Sequence, residues 1–250
     1  MKTNPIQRLL EKQSKLFYRY SGGFFGIVSA IIFLITLAIS ISLHSITDPI
    51  RLTRHFVSNL GIGPNGSSII FSIGIFCQAI LLLPFITHIA QQLWISESSP
   101  IKKKNNIFVQ LSFLISMGSI PGLILVAFFS MGPSTIIPHA IGAMLFFFGT
   151  ILYGGGFWIA IEIQKKAGLW LRLSSILVLV CFLCFQGASM ALVFLYPEEF
   201  QIFMDNPAGY TLRILGDTTD TKLAYIRLFE WLFVLSMVLW SIALSCFSIR

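Results

Sequence analysis

The chain has 250 residues, of which 56% are hydrophobic and only 11% charged, whereas soluble domains carry roughly a quarter of their residues as Asp, Glu, Lys or Arg. With a mean hydropathy of +0.84 and 24 phenylalanines, too little polar surface remains to cover a water-facing sphere. The net charge of +7 does not imply a nucleic-acid partner, because Lys and Arg form short runs with no long basic stripe.

The first 22 residues form a basic leader in which Ile6, Leu9, Leu10, Leu16 and Phe17 recur at helical spacing opposite Lys and Arg. That pattern is compatible with an amphipathic helix on anionic lipid and equally with a plain topogenic tail. Blocks without Asp, Glu, Lys, Arg or His then mark the spans, because an ionisable group at the bilayer centre costs at least ~2.5–3.5 kcal/mol. They predict six transmembrane helices at about 24–43, 67–90, 107–131, 138–161, 172–196 and 224–248, each able to cross a hydrocarbon core of ~30 Å. Ala38-Ile39-Ser40 resembles a cleavage site, but the long polar leader argues for an uncleaved first helix. Met131-Gly132-Pro133-Ser134 supplies a tight turn between the third and fourth spans.

Twelve of the 17 Lys and Arg fall on the N-terminal side: Lys2, Arg8, Lys12, Lys15, Arg19, Lys102, Lys103, Lys104, Lys165, Lys166, Arg172 and Arg250. Arg51, Arg54, Arg213, Lys222 and Arg227 lie opposite, with most of the acids. Positive flanks stay cytoplasmic, so the expectation is a single all-α membrane domain, a six-helix bundle with both termini cytoplasmic and two substantial outer loops.

Several features read as structural. Cys77, Cys181, Cys184 and Cys246 all fall inside spans, away from any extracellular disulfide framework. Asn65-Gly66-Ser67 matches a glycosylation acceptor but abuts the second span, where a transferase reaches poorly. Gly118, Gly122, Pro121 and the serines at 112, 116 and 119 in the third span, with Gly154 to Gly156 in the fourth, suit close helix approach or a kink. No phosphate-binding glycine loop, His-Glu-x-x-His or Gly-x-Ser-x-Gly occurs, so an ATP-driven or serine-hydrolase mechanism of a familiar type has no support and no nucleotide or other organic cofactor is expected.

The second, fourth and sixth spans all begin on the outer side, each with unusual polar residues. Before the second come His55, Ser58, Asn59 and Gly61; a short interfacial helix would put the first three on one face and turn Phe56 and Leu60 toward lipid. Pro138 suits the first position of the fourth span, placing His139 in the first turn, where the helix dipole favours a neutral ring able to act as base or ligand. In the sixth, Arg227 and Glu230 share a face beside Trp231, read as an interfacial anchor. A structural explanation has Arg227 pairing with Glu230, His139 bonding the hairpin and His55 facing water. Against it stands the cost of a charged pair near hydrocarbon, which makes Glu230 a functional candidate.

In order and placement, His55-x-x-Ser58-x-Leu60-Gly61, then His139-x-x-Gly142-Ala143-x-x-x-Phe147, then Glu230-Trp231 resemble the motifs of the Frag/DRAM/Sfk family of six-helix membrane proteins. The family includes autophagy modulators and a factor that remodels the lipid of GPI anchors. Asn59 stands where the family usually has Asp. The resemblance implies lipid remodelling, trafficking or regulation of membrane proteins, and carries over to His55, Ser58, Asn59, Gly61, His139 and Glu230, with Asn59 the departure.

Three functions follow as expectations. The first is a lipid-handling protein whose outer pocket holds a headgroup on Ser58, Asn59, Gly61 and Arg227, with His55, His139 and Glu230 orienting it or catalysing acyl transfer or ester hydrolysis. The second is a non-enzymatic scaffold that binds other membrane proteins, and the third a metal-dependent lipid hydrolase or acyltransferase using two histidines and one carboxylate. Expected partners are membrane lipids and other membrane proteins, with no nucleic acid.

Overall fold

The computed structural model describes residues 22–96, 99–129, 135–206 and 223–249. The basic leader, the 131–134 turn and most of the loop at 197–222 lie outside the described residues. Seven α-helices and one 3-10 helix make up the described fold: α1 (Gly22–Ser45), the 3-10 helix Val57–Ile62, α2 (Ser67–Leu93), α3 (Lys102–Phe128), α4 (Ile136–Ile163), α5 (Leu169–Leu195), α6 (Pro197–Asp205) and α7 (Ala224–Ile249). All but α6 and the 3-10 helix are long and apolar enough to span a membrane. The chain is therefore a multi-pass integral membrane protein, and the six spans match those predicted, with ends shifted by a few residues.

Two shifts have clear causes. α3 begins at Lys102 rather than near 107, because long Lys side chains can snorkel to the interface while their backbone stays helical. α4 begins at Ile136, which makes Pro138 the third helical residue rather than the first. No N–H in the first turn has an intrahelical partner, so proline costs nothing there. The short helix α6 was not anticipated; Pro197 opens it, as suits a first helical position.

The spanning helices form a ring in the order α4, α3, α2, α1, α7, α5. The α3–α4 joint is the closest. Cβ atoms built at Gly122 and Gly142 would each stand 2.7 Å from the other glycine's carbonyl oxygen, and Gly149 and Gly156 lie against Ser119 and Ser112. Small residues on the facing sides of both helices thus let the backbones approach closely. Gly118 and Gly155 face open space, so only some of the small residues in this region serve the contact. The joint between α4 and α5 is much looser, and α5 buries the least of itself of the six spans.

At the end of the bundle that carries the described chain ends, hereafter the terminal end, amide side chains satisfy helix-end carbonyls. Asn105 and Gln164 both donate to Leu93 O at 2.7 Å, and Gln92 donates to Ser248 O at 2.5 Å. Arg172 grips Glu162 through two bonds of 2.7 and 2.8 Å, tying α4 to α5. The other end, hereafter the loop end, holds the 3-10 helix and the polar residues singled out above.

Candidate functional site

The segment before α2 is a 3-10 helix that starts two residues after His55. It has three residues per turn, so the single face drawn through His55, Ser58 and Asn59 does not form. Leu60 is buried in the core rather than turned to lipid. Asn59 is buried too, and its Oδ1 accepts the Phe56 N–H at 2.6 Å, bracing the turn.

α7 holds that turn from the side through adjacent residues. The Glu230 carboxylate accepts the backbone N–H of Val57 at 3.2 Å and also that of Ser58. The Trp231 indole N–H donates to the His55 carbonyl at 2.8 Å. The first N–H groups of a helix lack internal partners and attract anions; here an internal carboxylate takes that place. Trp231 is 2% exposed, so it is a buried staple and not an interfacial anchor. Residues 55–58 and 230–231 meet directly.

Glu230 is 6% exposed and is held by the turn rather than by Arg227. The Arg227 guanidinium is fully buried and lies over the Phe56 ring, 5.3 Å from its centroid, a cation–π arrangement. The pairing expected from their spacing does not form, because the two side chains engage different parts of the same segment.

His55 is occupied at both ring nitrogens. Nδ1 accepts the Arg51 N–H at 3.1 Å, which leaves Nε2 to donate to Asp48 Oδ2 at 3.0 Å. The ring of His44 meets it edge-on at 5.6 Å, and His44 Nδ1 donates to the Asp48 carbonyl. His55 therefore braces the loop and lies outside the cavity described next. Asp48 and His44 are its unforeseen partners; the spacing His44-x3-Asp48-x6-His55 was the available signal, within a loop read only for its charge.

Below the turn lies a cavity of about 90 Å³, room for about three water-sized groups at ~30 Å³ each. Ser58 and Glu230 line its loop end together with His139 from α4. Its walls are Ala30 and Phe33 of α1, Phe71 to Phe85 of α2, Leu123 and Val126 of α3, Ala143 to Tyr153 of α4 and Val234 to Ser241 of α7. From Glu230 to Trp240 the helix rises about 15 Å at 1.5 Å per residue, so the space is a narrow slot running down the ring. Gln78, Thr150, Tyr153 and Ser241 add polar atoms at depth. These were weak sequence signals, being uncharged residues within apolar runs.

His139 Nδ1 donates to the Phe129 carbonyl at 2.7 Å, so in the neutral ring Nε2 is the acceptor nitrogen. Phe129, not Glu230, sets the tautomer. Of the seven candidates, Ser58, His139 and Glu230 reach the slot. Asn59, Arg227 and His55 do not line it. Gly61 packs near Phe71, where a Cβ would stand at an ordinary 3.5 Å. Among the described residues no three His, Cys, Asp or Glu side chains converge as metal ligands, and the two-histidine, one-carboxylate set is not assembled because His55 is turned to Asp48. Asn65, at the glycosylation-like triplet, donates to Leu43 O at 3.0 Å and Thr47 Oγ1 at 2.8 Å.

Compared with known proteins, the chain matches no family model, no curated protein and no solved structure.

Proposed function

We propose that this protein binds a membrane lipid within the bundle, with the polar group at Ser58, His139 and Glu230 and an apolar chain along the slot. The observation that carries the reading is the slot itself. A polar head formed by a hydroxyl, an imidazole acceptor and a carboxylate continues into a narrow apolar channel within spanning helices, which matches the polarity gradient of a lipid. Here Glu230 accepts a headgroup hydroxyl or ammonium, His139 Nε2 accepts a second donor, and the aromatic and aliphatic walls take the chain. The resemblance to the Frag/DRAM/Sfk family, with its lipid-remodelling member, points the same way. Binding rather than turnover is proposed, because His139 and Glu230 are tied to separate backbone groups and do not pair with each other as base and orienter.

A scaffold for other membrane proteins is the second reading. It is favoured by the use of Glu230 and Trp231 to lock the loop end. The two separate on one experiment: lipid extracted from protein purified in mild detergent, quantified by mass spectrometry. Wild-type protein should retain a stoichiometric lipid, and Ala143→Leu, which fills the slot, should lose it while staying folded. Wild-type protein free of lipid, or full retention by Ala143→Leu, would overturn the lipid-binding reading.

A further inference from the structure

The ring of spans has one loose joint, and it lies beside the slot. α5 packs closely on α7 but barely on α4, and it contributes no residue to the slot wall. Towards the loop end this joint is shut by aromatic rings. Phe147 of α4 meets Phe185 of α5 at 6.1 Å and Phe233 of α7 at 5.3 Å, while Phe148 meets Phe182 at 5.3 Å.

Lower down, the aromatic seal gives way to small residues. Gly154 and Gly155 of α4 face Ser175 and Val178 of α5 across a cleft of about 170 Å³. A Cβ at Gly155 would meet nothing within 4 Å. The inner wall of this cleft is Trp240, 5% exposed, and Thr150. Both residues also line the slot, so they form a partition between the two spaces. A Cβ at Gly154 would stand 3.1 Å from the Trp240 ring, so only glycine there leaves the indole its present place.

We infer that the α4–α5 cleft is a lateral portal through which the acyl chain of a bilayer lipid passes into the slot, with Trp240 as its door. This rests on the lipid-binding reading above. The occupant follows from position and polarity. The cleft lies within spanning segments, with Ile151, Ile159, Val178 and Leu179 on its walls, so the medium against it is hydrocarbon. A lipid bound in the slot must exchange with the bilayer, and the loosest seam of the ring is the path that separates the fewest packed contacts. Headgroup and chain need not enter at one point: the polar head of the slot is at the loop end, and the portal admits the chain from the side.

The test is kinetic. Full-length protein in mixed micelles is mixed rapidly with phosphatidylcholine carrying brominated acyl chains, and quenching of tryptophan fluorescence is followed, since Trp158 and Trp240 both line the cleft. Gly155→Leu fills the portal without touching the slot and should slow the saturable phase at least tenfold with its end-point unchanged. Ser175→Leu does the same from the opposite wall, which guards against misfolding of either variant; the Ser175 hydroxyl bonds only within its own helix, to Leu171 O. Gly187→Leu, also in open space but outside the cleft, should keep the wild-type rate. Unchanged rates in folded Gly155→Leu and Ser175→Leu, with a saturable phase present in wild type, would overturn the portal alone. Absence of that phase in wild type would overturn the lipid-binding reading and the portal with it.

Discussion

Replacing Glu230 tests whether the carboxylate is the structural anion of the 3-10 helix. Its oxygens accept two N–H groups, from buried Val57 and half-buried Ser58. A buried donor left without a partner costs about 1–3 kcal/mol, with Ser58 at the low end, so removing both acceptors should cost about 2–4 kcal/mol. Glu230→Gln keeps one carbonyl oxygen with two lone pairs and can serve both donors. Glu230→Met restores the packed volume without an acceptor. Both variants abolish the ionisable group, so the desolvation cost of a buried carboxylate cancels between them, and their difference isolates the hydrogen bonds. Glu230→Ala should lose about 1–2 kcal/mol more through missing methylenes. Unfolding by sodium dodecyl sulfate in mixed micelles can be followed by labelling of the partly buried Cys77, Cys181 and Cys184, all free thiols. Met and Gln variants unfolding within about 0.5 kcal/mol of each other, the range of ordinary surface substitutions, would refute the staple.

Two further outcomes follow from contacts already described. Gly142→Ala must push α3 from α4, because its Cβ would lie 2.7 Å from the Gly122 carbonyl, and should cost about 1–3 kcal/mol; Gly118→Ala, in open space, should be neutral or stabilising by up to ~1 kcal/mol in the same denaturation assay. Expression in a glycosylating host should leave Asn65 unmodified, since its amide nitrogen is already engaged by Leu43 and Thr47; a mobility shift removed by endoglycosidase would contradict this.

Much of the architecture was legible one residue at a time. A charge inside hydrocarbon is costly wherever the chain goes, so the scarcity of Asp, Glu, Lys and Arg marked six spans, and the skew of Lys and Arg set the expectation of cytoplasmic termini. The same reasoning drew attention to Glu230, because a carboxylate within an apolar run needs a partner. Which partner was beyond it. Arg227, three residues away, was the local choice, but Glu230 instead takes N–H groups 173 and 172 positions earlier in the chain, and only the packing of α7 against the 3-10 helix makes that available.

Tertiary structure decided the rest for the same reason. Whether His55 enters the site depends on a ring held by Asp48, and whether Gly118 or Gly122 makes the helix contact depends on which faces α4. The slot belongs to no segment: five spanning helices and the 3-10 helix line it, and its polar atoms at Gln78, Thr150 and Tyr153 are ordinary residues until the ring closes around them. Composition and charge along a chain determine what must leave water, since that cost is local and additive. Which side chains then share a cavity is a property of pairs distant in sequence, set by the closeness of α3 to α4 and the looseness of α4 to α5.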